Sequence, residues 1–148
     1  MKVVIGSDHA GVSLKKEIKS LLLKSNVVFV DVGVETKDEA ADYPDIAKKV
    51  CSVVSKDKGY FGILICGTGT GMSIAANKHK GIRAVVGYDV YSAKMGRKDN
   101  DCNVLCLRAR SYPFQKSKDA VKVFLETKSS IAKRHKDRIQ KLERGTLK

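Results

Sequence analysis

The residues best suited to chemistry lie in one short stretch, where an apolar run ends at Cys66 and three glycines follow, Gly67, Gly69 and Gly71. Glycines tolerate positive φ angles and allow backbone N–H groups to face an anion. A helix predicted to begin directly after them adds the partial positive charge of its N-terminus, which favours the thiolate form of Cys66. The same N–H groups would stabilise an enediolate, the anion formed when a sugar loses the proton next to its carbonyl. A thiolate base beside such donors suits aldose–ketose isomerisation by proton transfer.

Other interpretations of this glycine-rich loop (residues 67–71) are weaker. The dinucleotide-binding fingerprint G-x-G-x-x-G fails because its last position is Met72, and no Gly-Lys-Ser/Thr follows as in a Walker A loop. A tight turn with only a structural role remains an alternative, but the cysteine at the end of the strand favours a binding loop.

Short apolar segments alternate with helical ones along the chain and would position this loop. We predict strands at residues 3–6, 27–31, 62–66, 82–86 and 103–107, and helices at residues 12–25, 45–56, 71–78, 92–98, 113–126 and 131–144. The strands are rich in β-branched residues and apolar on both faces, which is typical of a parallel sheet covered by helices on both sides. The alternation predicts a doubly wound sheet, whose ligands bind at the carboxyl ends of the strands.

The length and composition predict one ordinary domain over residues 1–148. No apolar stretch is long enough to span a membrane, and the first residues lack the pattern of a signal peptide, so we expect a cytoplasmic protein with no membrane partner. The four cysteines form no CxxC pair and the three histidines are scattered, so we expect neither a metal nor a cofactor.

The formal net charge of +13 would suit a nucleic-acid partner, and eleven of the 29 Lys and Arg residues lie between positions 116 and 148. The same stretch contains no aromatic residues interleaved for base stacking and no zinc-finger spacing. We therefore interpret it as solvated helix surface and do not expect nucleic-acid binding.

Further motifs accompany the glycine-rich loop in a fixed order. They are Ser7-Asp8-His9-Ala10-Gly11, Asp42-Tyr43-Pro44, residues 66–78 followed by Gly81-Ile82-Arg83-Ala84, Asn100-Asp101, and Arg134-His135 with Arg138. Together they resemble the motifs of the family of ribose-5-phosphate isomerase B and galactose-6-phosphate isomerase. The resemblance implies a Rossmann-like three-layer α/β/α fold with a five-stranded parallel sheet, and a metal-independent interconversion of ribose 5-phosphate and ribulose 5-phosphate. It also implies a homodimer or homotetramer with shared active sites, in which the C-terminal helix packs on a partner subunit.

The resemblance assigns roles to single residues. Cys66 would move the proton between C1 and C2, with Thr68 in the same catalytic group. The residues around the enediolate would be Gly67, Gly69, Thr70 and Gly71. Sugar hydroxyls would be held by Asp8 and Asn100, with Tyr43 lining the cleft. The phosphate would be bound by His9, Arg110, Arg134 and Arg138, some of them from the partner subunit.

Several of these residues have ordinary alternatives. His9 would otherwise cap the following helix, and Arg110 would form a surface ion pair. Arg134 and Arg138 lie one helical turn apart and without the motif would form a solvated basic patch.

One position departs from the family pattern. The family has a histidine immediately before Asn100, assigned to opening the sugar ring, and this chain has Asp99. An ionised carboxylate only accepts hydrogen bonds, whereas neutral imidazole both donates and accepts. We expect Asp99 to take the catalytic role as a base, or the enzyme to use only open-chain sugar, or the substrate range to shift. The alternatives are an isomerase of six-carbon sugar phosphates (allose or galactose 6-phosphate) and a non-catalytic paralogue or basic nucleic-acid binder.

Overall fold

The computed structural model describes residues 1–144 and contains a five-stranded sheet in which all pairs are parallel. The strands in chain order are β1 (Lys2–Ser7), β2 (Val28–Asp31), β3 (Tyr60–Cys66), β4 (Ala84–Val86) and β5 (Val104–Arg108). They lie in the order β2-β1-β3-β5-β4. The prediction of a five-stranded parallel sheet is confirmed.

Six α-helices connect and follow the strands within the described residues. They are α1 (Val12–Lys24), α2 (Tyr43–Val54), α3 (Thr70–Asn77), α4 (Val90–Asn100), α5 (Phe114–Glu126) and α6 (Lys133–Glu143). None of the helices in this part of the chain is long and apolar enough to cross a membrane. All predicted helices and strands are present, with ends that differ by up to about two residues.

The central strands β1, β3 and β5 are buried on both faces because successive strand residues point to opposite sides and both sets are apolar. Val4 and Leu64 lie in a core with α2 and α3, whereas Val3 and Ile63 lie in a second core with α1, α4 and α5. All four side chains are fully buried. The three layers follow directly from this two-sided apolar pattern. Helix α6 contacts α4 of its own chain.

The loop after β2 is fixed by a buried ionic cluster. Lys15 of α1 is 1% exposed, and its Nζ lies 2.9 Å from Asp31 and donates to the carbonyl oxygen of Val34 at 2.6 Å. Lys19 donates to the same carboxylate at 2.7 Å, and the N–H of Gly33 donates to it at 3.0 Å. Burial of Asp31 opposes its ionisation, but the bonds from Lys19, Lys15 and Gly33 outweigh that effect and lower the pKa of Asp31.

An Asp31→Asn variant is therefore expected to lose about 3 kcal/mol of unfolding free energy at pH 7, because it leaves the buried Lys15 charge with only the exposed carboxylate of Glu35, 3.8 Å away, among the described residues. Since the pKa of Asp31 is lowered by folding, its contribution exists above the pKa of an unfolded aspartate, about 4, and disappears as the pH falls through the folded value. Urea unfolding at pH 7 and at lower pH measures both effects. The exposed Asp38→Asn is the control, and equal stability of the two variants at pH 7 would contradict the assignment.

The fold has one point where its crossover connections leave in opposite directions, between the neighbouring strands β1 and β3. After β1 the chain passes through α1 to β2 on one side, and after β3 it passes through α3 to β4 on the other. Ligands of such sheets bind in the crevice at the carboxyl ends of these two strands. Asp8 follows β1 there, and Cys66 ends β3.

Candidate active site

Cys66 lies at the carboxyl edge of the sheet and is 5% exposed. Its Sγ accepts a hydrogen bond of 3.1 Å from the backbone N–H of Gly69. The glycine-rich loop therefore places a backbone N–H donor directly against the sulfur.

Two close contacts and one backbone angle make the three glycines of the loop necessary. Gly69 has φ +80°, a conformation that L side chains rarely adopt. A Cβ on Gly67 would lie 3.2–3.3 Å from the side chain of Arg110, and a Cβ on Gly71 would lie 2.9 Å from the ring of Tyr43. The missing side chains therefore allow Arg110 and Tyr43 to pack directly against the loop.

The other three cysteines are free and buried. Burial raises the pKa of the Cys51 thiol to about 12 and that of Cys102 to about 11, and it raises the pKa of Cys106 well above its ordinary value. These thiols stay protonated at neutral pH and act as apolar core residues. Among residues 1–144, no group of three or more His, Cys, Asp or Glu side chains is arranged to hold a metal ion.

Asp8 and His9 lie beside Cys66 because β1 and β3 are paired. The N–H of Asp8 donates to the carbonyl oxygen of Ile65 at 3.3 Å. One carboxylate oxygen of Asp8 accepts from the N–H groups of Ala10 (3.0 Å) and Gly11 (3.2 Å). Asp8, rather than His9, therefore caps the turn that precedes α1, and His9 is left exposed at the mouth of the crevice.

Arg110 is held over the loop from the end of β5. Its backbone N–H donates to the carbonyl oxygen of Gly67 at 3.0 Å. Arg108, which pairs with Cys66 across the sheet, donates to the carbonyl oxygens of Arg110 (2.8 Å) and Ser111 (3.1 Å) and so fixes the turn that carries Arg110. A cavity of about 300 Å³ opens here. Its lining residues are Gly67, Thr68, Thr70, Tyr88, Arg108, Arg110 and Ser111.

The remaining predicted site residues form a second cluster on α4 and α6. Asp99 and Asn100 lie in the last turn of α4, and Arg134 and Arg138 lie in the first two turns of α6. The two helices meet where Asp99 Oδ1 lies 3.8 Å from Nδ1 of His135. We name this cluster (Asp99, Asn100, Arg134, His135, Arg138) the α4–α6 cluster, and the group around Cys66 (Asp8, His9, residues 66–71, Arg110) the Cys66 cluster.

The two clusters lie at opposite edges of the sheet in one subunit. Asn100 precedes β5, whose first residue, Val104, pairs with Gly62 of β3, four residues before Cys66. Four strand residues span about 13 Å. Arg83, just before β4, donates to the carbonyl oxygen of Asn100 at 3.1 Å, which also places the end of α4 at the amino edge. A single copy of the chain therefore does not bring all predicted site residues together.

Two arginines that the sequence analysis did not assign fix the end of α4. Asp101, in the left-handed conformation at φ 48°, ends the helix. Its carboxylate accepts from Arg83 at 3.0 Å and from Arg97 at 2.7 Å. Arg97 is buried, with its guanidinium 4.7 Å from the centre of the Phe61 ring. Arg83 lies in the Gly81–Ala84 motif, so the sequence offered a reason to single it out. Arg97 lies in none of the motifs, so the sequence offered no such reason.

The similarity of this chain to known proteins covers nearly its whole length. A profile described as Ribose/Galactose Isomerase matches residues 3–142. Ribose-5-phosphate isomerase B of Escherichia coli strain K12 is 41% identical over 139 residues, which cover 94% of this chain and 92% of the relative. D-erythrulose-4-phosphate isomerase 2 of Mycolicibacterium smegmatis is 40% identical over 127 residues, 84% of each chain. The crystal structure of ribose-5-phosphate isomerase B from Mycoplasma genitalium with bound ribulose 5-phosphate superposes with a TM-score of 0.92 at 38% identity, covering 97% of this chain and 95% of that one. With its fold, its cysteine and its glycine-rich loop, the chain belongs to the ribose/galactose isomerase family.

Proposed function

We propose that the protein is an aldose–ketose isomerase that interconverts ribose 5-phosphate and ribulose 5-phosphate through an enediolate. The observation that supports this most directly is the hydrogen bond of 3.1 Å from the N–H of Gly69 to Sγ of Cys66, beside a cavity bounded by Arg110. A base, an oxyanion-binding loop and a phosphate-binding cation lie within one crevice. The relative from Mycoplasma genitalium, whose structure contains ribulose 5-phosphate, supports the same substrate.

The reaction moves one proton between carbons and one between oxygens. The Cys66 thiolate takes the proton from C2 of the open-chain aldose, the C1–C2 double bond forms, and O1 becomes negative. Backbone N–H groups of residues 67–71 stabilise that charge. The Cys66 thiol, after exchange of its proton with solvent, then delivers a proton to C1. The hydroxyl of Thr68, which lies 2.6 Å from that of Thr70, both donates and accepts and passes the second proton from O2 to O1.

The second half of each site comes from another copy of the chain in this proposal. The α4–α6 cluster carries two arginines suited to a phosphate and an amide suited to sugar hydroxyls, yet it lies at the edge of the sheet away from Cys66. Large apolar side chains on the surface support an association: Ile74 is 64% exposed, Tyr91 72% and Ile131 87%. A dimer, or a tetramer built from dimers, would place Asn100, Arg134 and Arg138 of one subunit opposite Cys66 of another.

Asp99 has the ring-opening role in this arrangement. Its carboxylate is 39% exposed at the end of α4, next to Asn100, so it would face the sugar held by the other subunit. A carboxylate within reach of the sugar is able to take the proton of the anomeric hydroxyl. The position occupied by a histidine in the family would thus be filled by a base of a different type.

The proposed reaction requires neither metal nor cofactor, since the base, the oxyanion donors and the phosphate-binding cations are all side chains or backbone groups. Four cysteines without a disulfide suit a reducing compartment, and we infer a cytoplasmic location on that ground.

The experiment is an isomerase assay with a chelator present, followed by NMR from both the aldose and the ketose side. The substrates are ribose 5-phosphate, allose 6-phosphate and galactose 6-phosphate. We expect kcat/KM to be highest for the five-carbon pair. A higher kcat/KM for either six-carbon sugar would identify that sugar phosphate as the preferred substrate in place of ribose 5-phosphate. No turnover of any of the three would refute the isomerase function and favour a non-catalytic protein.

A further inference from the structure

His135 is a buried histidine to which neither the sequence analysis nor the proposed reaction has given a task. It is 8% exposed, in the first turn of α6, and its Nδ1 points at the carboxylate of Asp99 on the neighbouring helix. A buried imidazole beside a catalytic carboxylate is able to orient it, as in other carboxylate–histidine pairs.

The hydrogen bonding around His135 determines which ring nitrogen carries the proton. The Nε–H of Arg134 donates to Nε2 of His135 at 3.2 Å, so Nε2 is the acceptor. The neutral ring then carries its proton on Nδ1, which is the nitrogen that faces Asp99. The distance of 3.8 Å to Oδ1 is longer than a hydrogen bond, and catalytic contacts of this kind tighten when substrate binds.

We propose that His135 is a positioning residue for ring opening: its Nδ1–H anchors one oxygen of Asp99, so that the other oxygen is presented to the anomeric centre of the sugar. This inference rests on the proposed function and assigns it a second residue. The side chain at the ring-opening position of this chain is shorter than a histidine and acts through a single carboxylate. A fixed orientation is therefore more important here than for a ring with two nitrogens.

The step balances without any further reactant. Asp99 takes the proton from the hydroxyl on C1 of the furanose, the C1–O4 bond breaks, and the electrons of the O1–H bond become the carbonyl bond of the aldehyde. Asp99 then returns the same proton to O4. The open-chain aldose is left ready for proton removal at C2 by Cys66 of the other subunit.

Other charged groups near Asp99 have different tasks. Arg97 and Asp101 are paired with each other at 2.7 Å. Lys133 is paired with Asp137 along α6 at 2.7 Å. Among the residues that the structure describes, His135 is the basic side chain that lies within ion-pair distance of the Asp99 carboxylate.

The test separates ring opening from proton transfer by varying the enzyme concentration. An enzyme that opens the ring gives a steady rate on ribose 5-phosphate that rises in proportion to enzyme concentration. An enzyme restricted to free aldehyde gives a burst and then a rate limited by spontaneous ring opening. We expect wild type to behave in the first way. His135→Leu, which fills the same buried space without a donor, is expected to behave in the second way, with an enzyme-catalysed opening rate lower by about 10²-fold.

Two further variants make the outcome specific. His135→Asn has an amide N–H near the position of Nδ1 and is expected to restore proportionality. Asp99→Asn is expected to behave like His135→Leu, and the double variant is expected to be no worse than Asp99→Asn alone, because both changes affect one step.

Each alternative outcome has a separate meaning. A proportional rate for His135→Leu would overturn the proposal. Loss of the burst as well in His135→Leu would assign His135 to binding or folding rather than ring opening, and would also overturn it. A burst in wild type, followed by a rate that no longer rises with enzyme concentration, would show that the enzyme uses only open-chain sugar. That result would overturn the roles of Asp99 and His135 in ring opening but would leave the isomerase function intact. Absence of any turnover by wild type, with neither a steady rate nor a burst, would refute the proposed function itself.

Discussion

A Cys66→Ala variant is expected to fold normally and to lose at least about 10³-fold in kcat/KM for ribose 5-phosphate, because general-base catalysis contributes about 10²–10⁴-fold. The Sγ atom accepts the N–H of Gly69, and the neighbouring acid Asp8 uses a carboxylate oxygen for backbone N–H groups. NMR in D₂O measures the effect directly. Wild type should incorporate deuterium from solvent into the sugar during turnover, whereas the variant should not.

The control is another buried cysteine, Cys51, which lies on α2 in the same core as Cys66. Its raised pKa excludes it as a base at neutral pH. Cys51→Ala should lower thermal stability somewhat, through the small cavity it creates, with little change in turnover per folded molecule. The assignment of Cys66 would be wrong if Cys66→Ala retained wild-type rates, or if the two alanine variants lost activity equally.

The fold could be predicted from the sequence because several local patterns of apolar residues and glycines each indicate the same architecture. Val3, Val4 and Ile5 are successive apolar residues, and only a strand with both faces covered buries all three. The glycine-rich loop was equally informative, since a strand, a cysteine and a helix start fix its place at the carboxyl edge. These features are local in the sequence, and each supports the same architecture.

The candidate site was less predictable because it depends on contacts between residues far apart in sequence. The approach of Asp99 to His135 joins two helices separated by α5, and no spacing indicates it. The pairing of Arg83 and Arg97 with Asp101 similarly depends on where β4 and α4 end. The division of the predicted residues between two edges becomes visible only once the strand order and register are known.

This division leads to a prediction with a large effect and a simple outcome. If each site combines the Cys66 cluster of one subunit with the α4–α6 cluster of another, Cys66→Ala and Arg138→Ala are defects in different halves of a site. Each variant alone is expected to be nearly inactive on ribose 5-phosphate. After the two are unfolded together and refolded, half of the dimers are mixed, and each mixed dimer has one site with both defects and one with none. Activity should return to roughly a quarter of the wild-type value.

The control is a pair of variants in the same half. Cys66→Ala mixed with Gly69→Val, whose side chain conflicts with the φ of +80° at that position, should recover nothing, because every site contains a defective Cys66 cluster. Failure of the first pair to recover, with mixed dimers demonstrated by mass spectrometry of differently tagged subunits, would mean that one subunit supplies the whole site. That result is difficult to reconcile with the register of β3 and β5, which separates Cys66 from the end of α4 by the length of a strand. Recovery in the first pair alone would establish that the arginine of one subunit binds the phosphate of a sugar whose proton is moved by Cys66 of the other. It would also show that the isolated subunit has no complete active site.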